Sequence, residues 1–344
     1  MHPLAAAILN GEVRALARAA RWVDDRAPGY EQLLRELYPH TGRAWTIGIT
    51  GSPGAGKSTL TDRLIGAFRA RAARVAVLAV DPTSPFSGGA ILGDRIRMQD
   101  HFEDTGVFIR SVATRGALGG LSRSVADLTR LVDAWGAEIV LIETVGVGQD
   151  ELEVVHLAQS TVVVVAPGMG DEVQAIKAGI VECADVFAVN KADREGADAA
   201  VRDLELMISL AMPAPERTGH LAAAHSAHRP RAAAGPAAAP EEAYVPSIVR
   251  TSATRGEGID ALVAALQAHQ RWLVTTAAGK ARQLDRTRRA LLSRLREAVI
   301  DQVTSELEQE IEQLVRDVLE RRVDPYTACE ELLRRSASLR GAGA

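Results

Sequence analysis

A glycine-rich stretch at residues 46–59 constrains the fold more than any other part of the chain. It follows an apolar run and precedes apolar residues at helical spacing. This order of strand, loop and helix lets backbone N–H groups surround a phosphate where the helix dipole favours an anion. The stretch therefore predicts a nucleoside triphosphate site, with Lys57 at the β/γ-phosphates and Ser58 on Mg²⁺. The predicted nucleotide contacts of this loop are Gly51, Pro53, Gly54, Ala55, Gly56, Lys57, Ser58 and Thr59.

Composition narrows the class of protein. The 344 residues are 47% hydrophobic and carry a net charge of -4, so no basic excess favours a nucleic-acid or membrane partner. The apolar runs are strand-sized and the N-terminus has no signal-peptide pattern, which predicts a soluble, cytoplasmic protein. Cys183 and Cys329 lie far apart without a CxxC partner, which argues against a disulfide framework or a structural zinc site.

Strand-like and helix-like segments alternate through the middle of the chain. The strand-like segments are continuous Val/Ile runs, as expected when helices cover both faces of a parallel sheet. The pattern predicts a doubly wound, mostly parallel α/β fold. The predicted strands are 45–50, 75–80, 107–112, 139–143, 160–166, 185–190 and 247–251. The predicted helices are 57–71, 90–98, 122–135, 150–158, 172–182, 197–210 and 258–270.

The α/β domain, which we assign to residues 44–270, is flanked by two regions and interrupted by a third. Residues 1–43 predict an N-terminal extension folded as a helical hairpin. Residues 212–246 are crowded with Ala, Pro, His and Arg and predict an exposed, mobile insertion. Residues 271–344 predict charged helices whose apolar residues recur roughly every 3.7 positions, longer than a left-handed coiled coil requires.

The C-terminal pattern leaves its packing partner open. The helices could pack on their own domain or on a second subunit. Ser305 and Glu308 have the spacing of a capping box that would divide the run. The residues from Ser336 onward predict a frayed tail.

Three acidic residues are candidates for holding Mg²⁺. Asp81 and Glu143 follow predicted strands, and the carboxyl ends of neighbouring parallel strands share one edge of a sheet. Asp94 lies in a Gly/Ser/Pro-rich segment that predicts a switch loop. Glu143 also opens a Glu-Thr-Val-Gly motif, and the N–H of its Gly146 could bond a γ-phosphate.

The tetrapeptide Asn190-Lys191-Ala192-Asp193 points to guanine. A carboxylate at this strand end can accept two hydrogen bonds from the N1–H and exocyclic amine of guanine, whereas adenine offers no such donor pair. Ser252 and Ala253, which follow the last predicted strand, are expected to line the same pocket. Together with the phosphate loop, this motif favours GTP over ATP.

Lysine usage singles out one further residue. Among 40 basic residues only four are lysines, so the lysines mark places where a compact ammonium is needed rather than a planar guanidinium. Lys57 and Lys191 fall within nucleotide motifs. Lys177 does not, which makes it a candidate functional residue.

These motifs, taken in order, resemble the MeaB/ArgK family of GTPases. The likeness also includes the predicted helices around residues 9–16 and 269–272, and so covers nearly the whole chain. The matching segments are 51–58, 81–85, 93–98, 143–149, 167–174, 177–182 and 190–193. The 212–246 insertion departs from the compact connection typical of the family.

The resemblance implies a G-protein chaperone of an adenosylcobalamin-dependent acyl-CoA mutase, of the methylmalonyl-CoA, isobutyryl-CoA or related kind. Such a protein gates cofactor loading and removal, hydrolyses GTP slowly until its partner stimulates it, and forms homodimers through C-terminal helices. Adenosylcobalamin then belongs to the mutase. The resemblance also implies that residues 168–179 form a switch that links mutase binding to hydrolysis.

Matching positions carry the family's site residues over to this sequence. The implied Mg²⁺ ligands are Ser58, Asp81, Asp94 and Glu143. The implied catalytic residues are Lys57, Asp94, Glu143 and Lys177. The implied base readers are Asn190, Lys191 and Asp193.

Two other functions remain open at this stage. A nickel-delivering metallochaperone GTPase has a related fold but needs a Cys/His site near the switches, which Cys183 alone does not supply. A kinase linked to amino-acid transport is suggested by older names within the family. Asn190-Lys191-Ala192-Asp193 argues against the kinase.

Overall fold

The computed structural model describes residues 1–71, 73–81, 101, 103–113, 120–144, 157–168, 184–211 and 243–341. The chain divides into two compact units, Met1–Leu284 and Asp285–Ala344. The predicted helices 90–98 and 172–182, with most of 150–158 and of the 212–246 insertion, lie outside the described residues. No helix of the described residues is both long enough and apolar enough to cross a membrane.

The first unit is built on a parallel sheet, to which the described residues contribute seven strands. The strands are β1 (Trp45–Gly51), β2 (Val75–Asp81), β3 (Val107–Ala113), β4 (Ile139–Thr144), β5 (Ser160–Val165), β6 (Val186–Val189) and β7 (Ser247–Arg250). Their order is β3-β2-β4-β1-β5-β6-β7, and every pairing is parallel. The prediction of a doubly wound parallel fold is therefore confirmed.

Helices cover both faces of this sheet. The α-helices of the described residues, in both units, are α1 (Pro3–Leu9), α2 (Val13–Asp24), α3 (Tyr30–Leu37), α4 (Lys57–Arg69), α5 (Gly120–Trp135), α6 (Ala197–Ala211), α7 (Ile259–Thr275), α8 (Ala277–Glu306), α9 (Glu308–Leu319) and α10 (Pro325–Gly341). One face packs against α4 and α7, and the other against α1, α2, α3, α5 and α6. Strands β1, β4, β5 and β6 are consequently buried at every position. This two-sided burial explains the continuous Val/Ile runs.

The N-terminal extension has three α-helices, so the predicted hairpin of two is wrong. The first predicted leg breaks after Asn10, where Gly11 adopts a left-handed φ of 85° and its N–H donates to Ile8 O. An Asn-Gly pair favours such a helix end because glycine enters this conformation without a Cβ penalty. The indole N–H of Trp135 then donates to Gly11 O at 3.1 Å, which ties the break to α5.

The second unit also corrects two predictions. Helices α8 and α9 do separate near Ser305, but its hydroxyl donates to Gln302 O instead of capping α9. The break falls at Leu307, whose side chain is buried. The expected frayed tail is helical as far as Gly341, and the buried Ser336 hydroxyl bonds Glu306 Oε2 at 3.1 Å.

A buried polar network lies at the amino ends of β1, β5 and β6. The indole N–H of Trp45 donates to Ser160 Oγ at 3.0 Å, and Ser160 Oγ lies 2.8 Å from His269 Nδ1. The other ring nitrogen of His269 lies 3.3 Å from Asp185 Oδ1, which Arg282 also approaches at 2.7 Å. If His269 is neutral with its proton on Nε2, Ser160 can donate to Nδ1, and the Nε2–H lies on the side of Asp185.

Burial shifts the two titrating groups of this network in opposite directions. Loss of solvation raises the pKa of Asp185 to about 6, although Arg282 partly offsets this rise. Loss of solvation, reinforced by the charge of Arg282, lowers the pKa of His269 to about 3. Between pH 6.5 and about 3, His269 is therefore neutral in the folded protein and protonated in the unfolded chain.

We predict that His269→Gln changes how stability depends on pH. Between pH 6.5 and 3 the unfolded wild-type chain binds a proton at His269 that the folded chain does not bind. The free energy of unfolding of wild type therefore decreases on acidification through this group. Glutamine does not titrate. At pH 7 the variant should be less stable by about 1–3 kcal/mol, the cost of an unmade buried hydrogen bond. Urea unfolding should show the gap narrowing towards pH 4.

Asp185→Asn is the matched comparison. Because the pKa of Asp185 is raised on folding, this residue contributes to the stability of wild type below about pH 4, and the contribution is lost as the pH rises through 6. The stability of wild type relative to this variant should therefore increase as the pH falls. This trend is opposite to the one expected for His269→Gln. Equal pH trends in both variants would contradict the assignment.

Candidate nucleotide site

Two glycines shape the loop that joins β1 to α4. Gly51 has a φ of 132°, and a Cβ there would lie 2.0 Å from Val164 O of β5. Gly56 has a φ of 93°, and a Cβ there would lie 2.5 Å from Asn190 Nδ2. Both the backbone conformation and the close neighbours exclude a side chain. The loop can therefore pass between β5 and Asn190 only as glycine-containing backbone.

Lys57 lies buried at the first position of α4. Its Nζ donates to Gly51 O at 2.6 Å and to Ser52 O at 3.0 Å, so the ammonium folds back across the loop. This positions a positive charge beside the backbone that the sequence predicts for the β/γ-phosphates. The helix N-terminus adds the partial positive charge of its first N–H groups.

Ser58 and Glu143 meet beside this loop. The Ser58 hydroxyl donates to Glu143 Oε1 at 2.6 Å, and both residues are buried. A hydroxyl and a carboxylate oxygen are ligands that Mg²⁺ prefers, so the pair fits the predicted metal.

Strand order explains why these residues converge. Strand β4 lies between β1 and β2, and Glu143 pairs with Ile49 on one side and with Ala79 on the other. Asp81 ends β2 two residues beyond Ala79, so its backbone lies at the same carboxyl edge. Such an edge is where ligands bind in open α/β sheets. The side chain of Asp81 lies outside the described parts of the structure, as do Asp94, Gly146 and Lys177.

Asn190 connects the phosphate loop to the segment after β7. It follows β6 directly and is buried. Its side-chain amide N–H donates to Ala55 O at 2.8 Å. Its Oδ1 accepts from the N–H of Ala253 at 3.0 Å and lies 3.3 Å from the Thr251 hydroxyl. One amide thereby holds together two parts of the predicted nucleotide site that are far apart in sequence.

Lys191 braces the same loop from outside. It adopts a left-handed φ of 57°, unusual for a residue with a side chain, and its Nζ donates to Gly54 O at 2.7 Å. The strained backbone turns the chain sharply between Asn190 and Asp193. As a result both side chains face the segment that follows β7.

Asp193 is held as an ionised acceptor. The Ser252 hydroxyl donates to its Oδ1 at 2.7 Å, and Arg255 lies 3.4 Å from its Oδ2. The hydrogen bond from Ser252, with a smaller contribution from the charge of Arg255, holds the pKa of Asp193 below its ordinary value. A carboxylate in this state can accept the paired N–H groups of guanine.

Two arginines of this region were not predicted from the sequence. Arg63, on α4, donates through Nε to Ala253 O at 2.9 Å. Arg255 approaches Asp193. No sequence signal connects Arg63 with Ala253, which is 190 residues away. Arg255 could have been considered, because it stands two residues after the predicted contact Ala253.

Known proteins resemble this chain over most of its length. The family model described as "Methylmalonyl Co-A mutase-associated GTPase MeaB" matches residues 16–308. A Pyrococcus abyssi protein that carries GTPase in its name is 40% identical over 326 residues, which are 94% of this chain and 93% of that protein. The mouse "Methylmalonic aciduria type A homolog, mitochondrial" is 31% identical over 88% of this chain and 68% of its own length.

A solved structure extends the likeness to the fold. The crystal structure titled "LAO/AO transport system kinase" superposes with a TM-score of 0.65 at 25% identity, and covers 96% of this chain and 95% of that chain. The family model spans most of the chain, and the phosphate loop and the Asn190 motif both fall inside it. The chain therefore belongs to the MeaB family of methylmalonyl-CoA mutase-associated GTPases.

Proposed function

We propose that this GTPase binds GTP and Mg²⁺ at the described loop and acts as a chaperone of an adenosylcobalamin-dependent acyl-CoA mutase. In this role it gates the loading, protection and reactivation of the mutase's cofactor. The observation that carries the nucleotide part is the hydrogen bond from Asn190 to Ala55 O, which joins the phosphate loop to the guanine motif. The name of the family supports the mutase part.

The phosphate end of the nucleotide is held by the loop and Lys57. Backbone N–H groups at the start of α4 surround the β-phosphate, and Lys57 exchanges its bonds to Gly51 O and Ser52 O for phosphate oxygens. Mg²⁺, when bound, neutralises charge on the β- and γ-phosphates. Ser58 and Glu143 are the described residues that would hold it, with Asp81 and Asp94 as further ligands.

Hydrolysis depends on position and charge. No candidate general base emerges from the sequence, so we expect Lys57 and the Gly146 N–H to orient the γ-phosphate and stabilise its developing negative charge. Glu143 would contribute by holding Mg²⁺. Asp94 and Lys177 complete the proposed catalytic set, and we propose that binding of the partner brings it to full activity. Turnover is then slow until the partner binds.

Asp193 reads the base, which a single substitution tests. Asp193→Asn replaces one carboxylate acceptor with an amide donor, which opposes the N1–H and amine of guanine but suits the C2 carbonyl of xanthine. Guanosine nucleotides should bind roughly 100-fold more weakly, and xanthosine nucleotides should bind better than guanosine nucleotides. Calorimetric titration with GDP and XDP measures both. Asp198→Asn, an exposed neighbour paired with Arg250, should leave both affinities unchanged.

Coupling to a mutase is tested by turnover. GTP hydrolysis should rise when a purified adenosylcobalamin-dependent acyl-CoA mutase, methylmalonyl-CoA or isobutyryl-CoA mutase, is added. Lys177→Ala should reduce this stimulation several-fold and spare the affinity for GTP, because the segment 168–179 is proposed to transmit binding of the partner. Lys280→Ala is the lysine control. Turnover that neither mutase alters would refute the coupling.

The second unit supports a homodimer. Of its residues whose burial is described, 285–338, only Leu307, Ala328 and Ser336 are buried. Large apolar side chains remain exposed on its helices, among them Leu291, Leu292, Leu295, Ile300, Val315, Leu319 and Leu333. Helices with so small a core of their own need apolar cover, and we propose that a second copy of the chain supplies it.

Mass measurement tests the dimer. Leu291 and Leu295 lie one turn apart on α8, with 68% and 55% of their surfaces exposed. Replacing both with Glu would bury charge in the proposed interface, so light scattering should show a monomer where wild type is a dimer. The control is Leu206→Glu with Leu210→Glu on α6, which are 60% and 76% exposed. A dimer that survives the first pair would place the interface elsewhere.

A further inference from the structure

The turn after β7 is closed by its own backbone. Ser252 and Glu257 exchange two hydrogen bonds of 3.0 and 3.1 Å, and the N–H of Arg255 donates to Ser252 O at 3.0 Å. Gly256 completes the turn with a φ of 73°. These bonds span only six residues, so the backbone at Arg255 has little room to move relative to Ser252.

Neighbouring elements hold this turn in place. Ala253 is bonded at both its N–H, by Asn190, and its carbonyl, by Arg63. Gly258 follows with a φ of 77°, and a Cβ there would lie 2.1 Å from Arg250 O, so the turn packs directly on the end of β7. Arg255 is therefore a long side chain on a firmly held stretch of backbone.

The guanidinium of Arg255 lies on the outer side of Asp193. It is 3.4 Å from Asp193 Oδ2, whereas Ser252 holds Oδ1. The Arg255 side chain is 58% exposed and that of Asp193 only 18%. An ion pair with so exposed a partner contributes little to folding stability. The pair therefore adds little to the fold, but the anchored backbone keeps the guanidinium close to Asp193, where a ligand bonded to that carboxylate would meet it.

We propose that Arg255 determines base affinity by covering guanine from the solvent side. The inference rests on the proposed role of Asp193, because a base bonded to that carboxylate must lie next to the guanidinium. Each carboxylate oxygen has two lone pairs, so Asp193 accepts the guanine N–H groups without releasing Ser252. The planar, weakly hydrated guanidinium then stacks on the aromatic base, which an ammonium cannot do.

Nucleotide affinities of three variants test this role. Arg255→Ala should weaken the binding of GDP and of GTP by the same factor, roughly tenfold, because the lost contact is to the guanine base and not to the phosphates. Arg255→Lys keeps the positive charge but not the planar guanidinium, and should restore less than half of the affinity that Arg255→Ala loses. At saturating GTP the turnover should be unchanged while KM rises. Arg250→Ala removes an arginine of similar exposure, 55%, that pairs with Asp198, and should have no effect.

The outcomes distinguish failure of this inference from failure of the proposed role of Asp193, on which it rests. Unchanged or tighter GDP binding in Arg255→Ala, with Asp193→Asn still impaired, overturns only the role of Arg255. Full recovery in Arg255→Lys also overturns it, since charge alone would then suffice. If Asp193→Asn keeps wild-type affinity for GDP, the base does not bind at Asp193, and both proposals fail together.

Discussion

The side-chain amide of Asn190 is the interaction on which the nucleotide site depends. It bonds the phosphate loop through Ala55 O and the turn after β7 through the N–H of Ala253. Gly56 must lack a side chain because this amide occupies the space that a Cβ would need. The parallel sheet makes the arrangement possible, because β1, β6 and β7 deliver their carboxyl ends to one edge. A single buried residue thereby holds the predicted phosphate loop and the predicted base pocket together.

The opposite edge of the sheet has its own polar centre. Asp185 precedes β6 and Asn190 follows it, so a strand of four residues separates the buried Asp185–His269 pair, which the partly exposed Arg282 approaches, from the predicted nucleotide site. Burying an acid is costly unless it is paired and hydrogen-bonded, and Asp185 receives both Arg282 and the N–H of Thr161. The short strand is thus held by hydrogen bonds at both ends and by apolar packing between them.

Most of the fold could be predicted from the sequence, because strands covered on both faces must be apolar throughout. The loop motif named Ser58, and a strand end named Glu143, as candidate Mg²⁺ ligands, but the hydrogen bond between them was not predicted. The N-terminal helix count was missed because apolar spacing continues across Gly11, whose left-handed turn breaks the helix. The capping box at Ser305 failed because a buried Leu307, not a hydroxyl, marks the break.

The sequence by itself determined the fold class, the phosphate loop and the guanine motif. Each of these depends on local order: a strand, then glycines, then a helix, or a strand followed by Asn190 to Asp193. Only the tertiary structure decided that Arg63 supports Ala253, that Arg255 faces Asp193, and that His269 lies against Asp185. These contacts join residues far apart in the chain, and the groups meet only because the order of the strands brings them together.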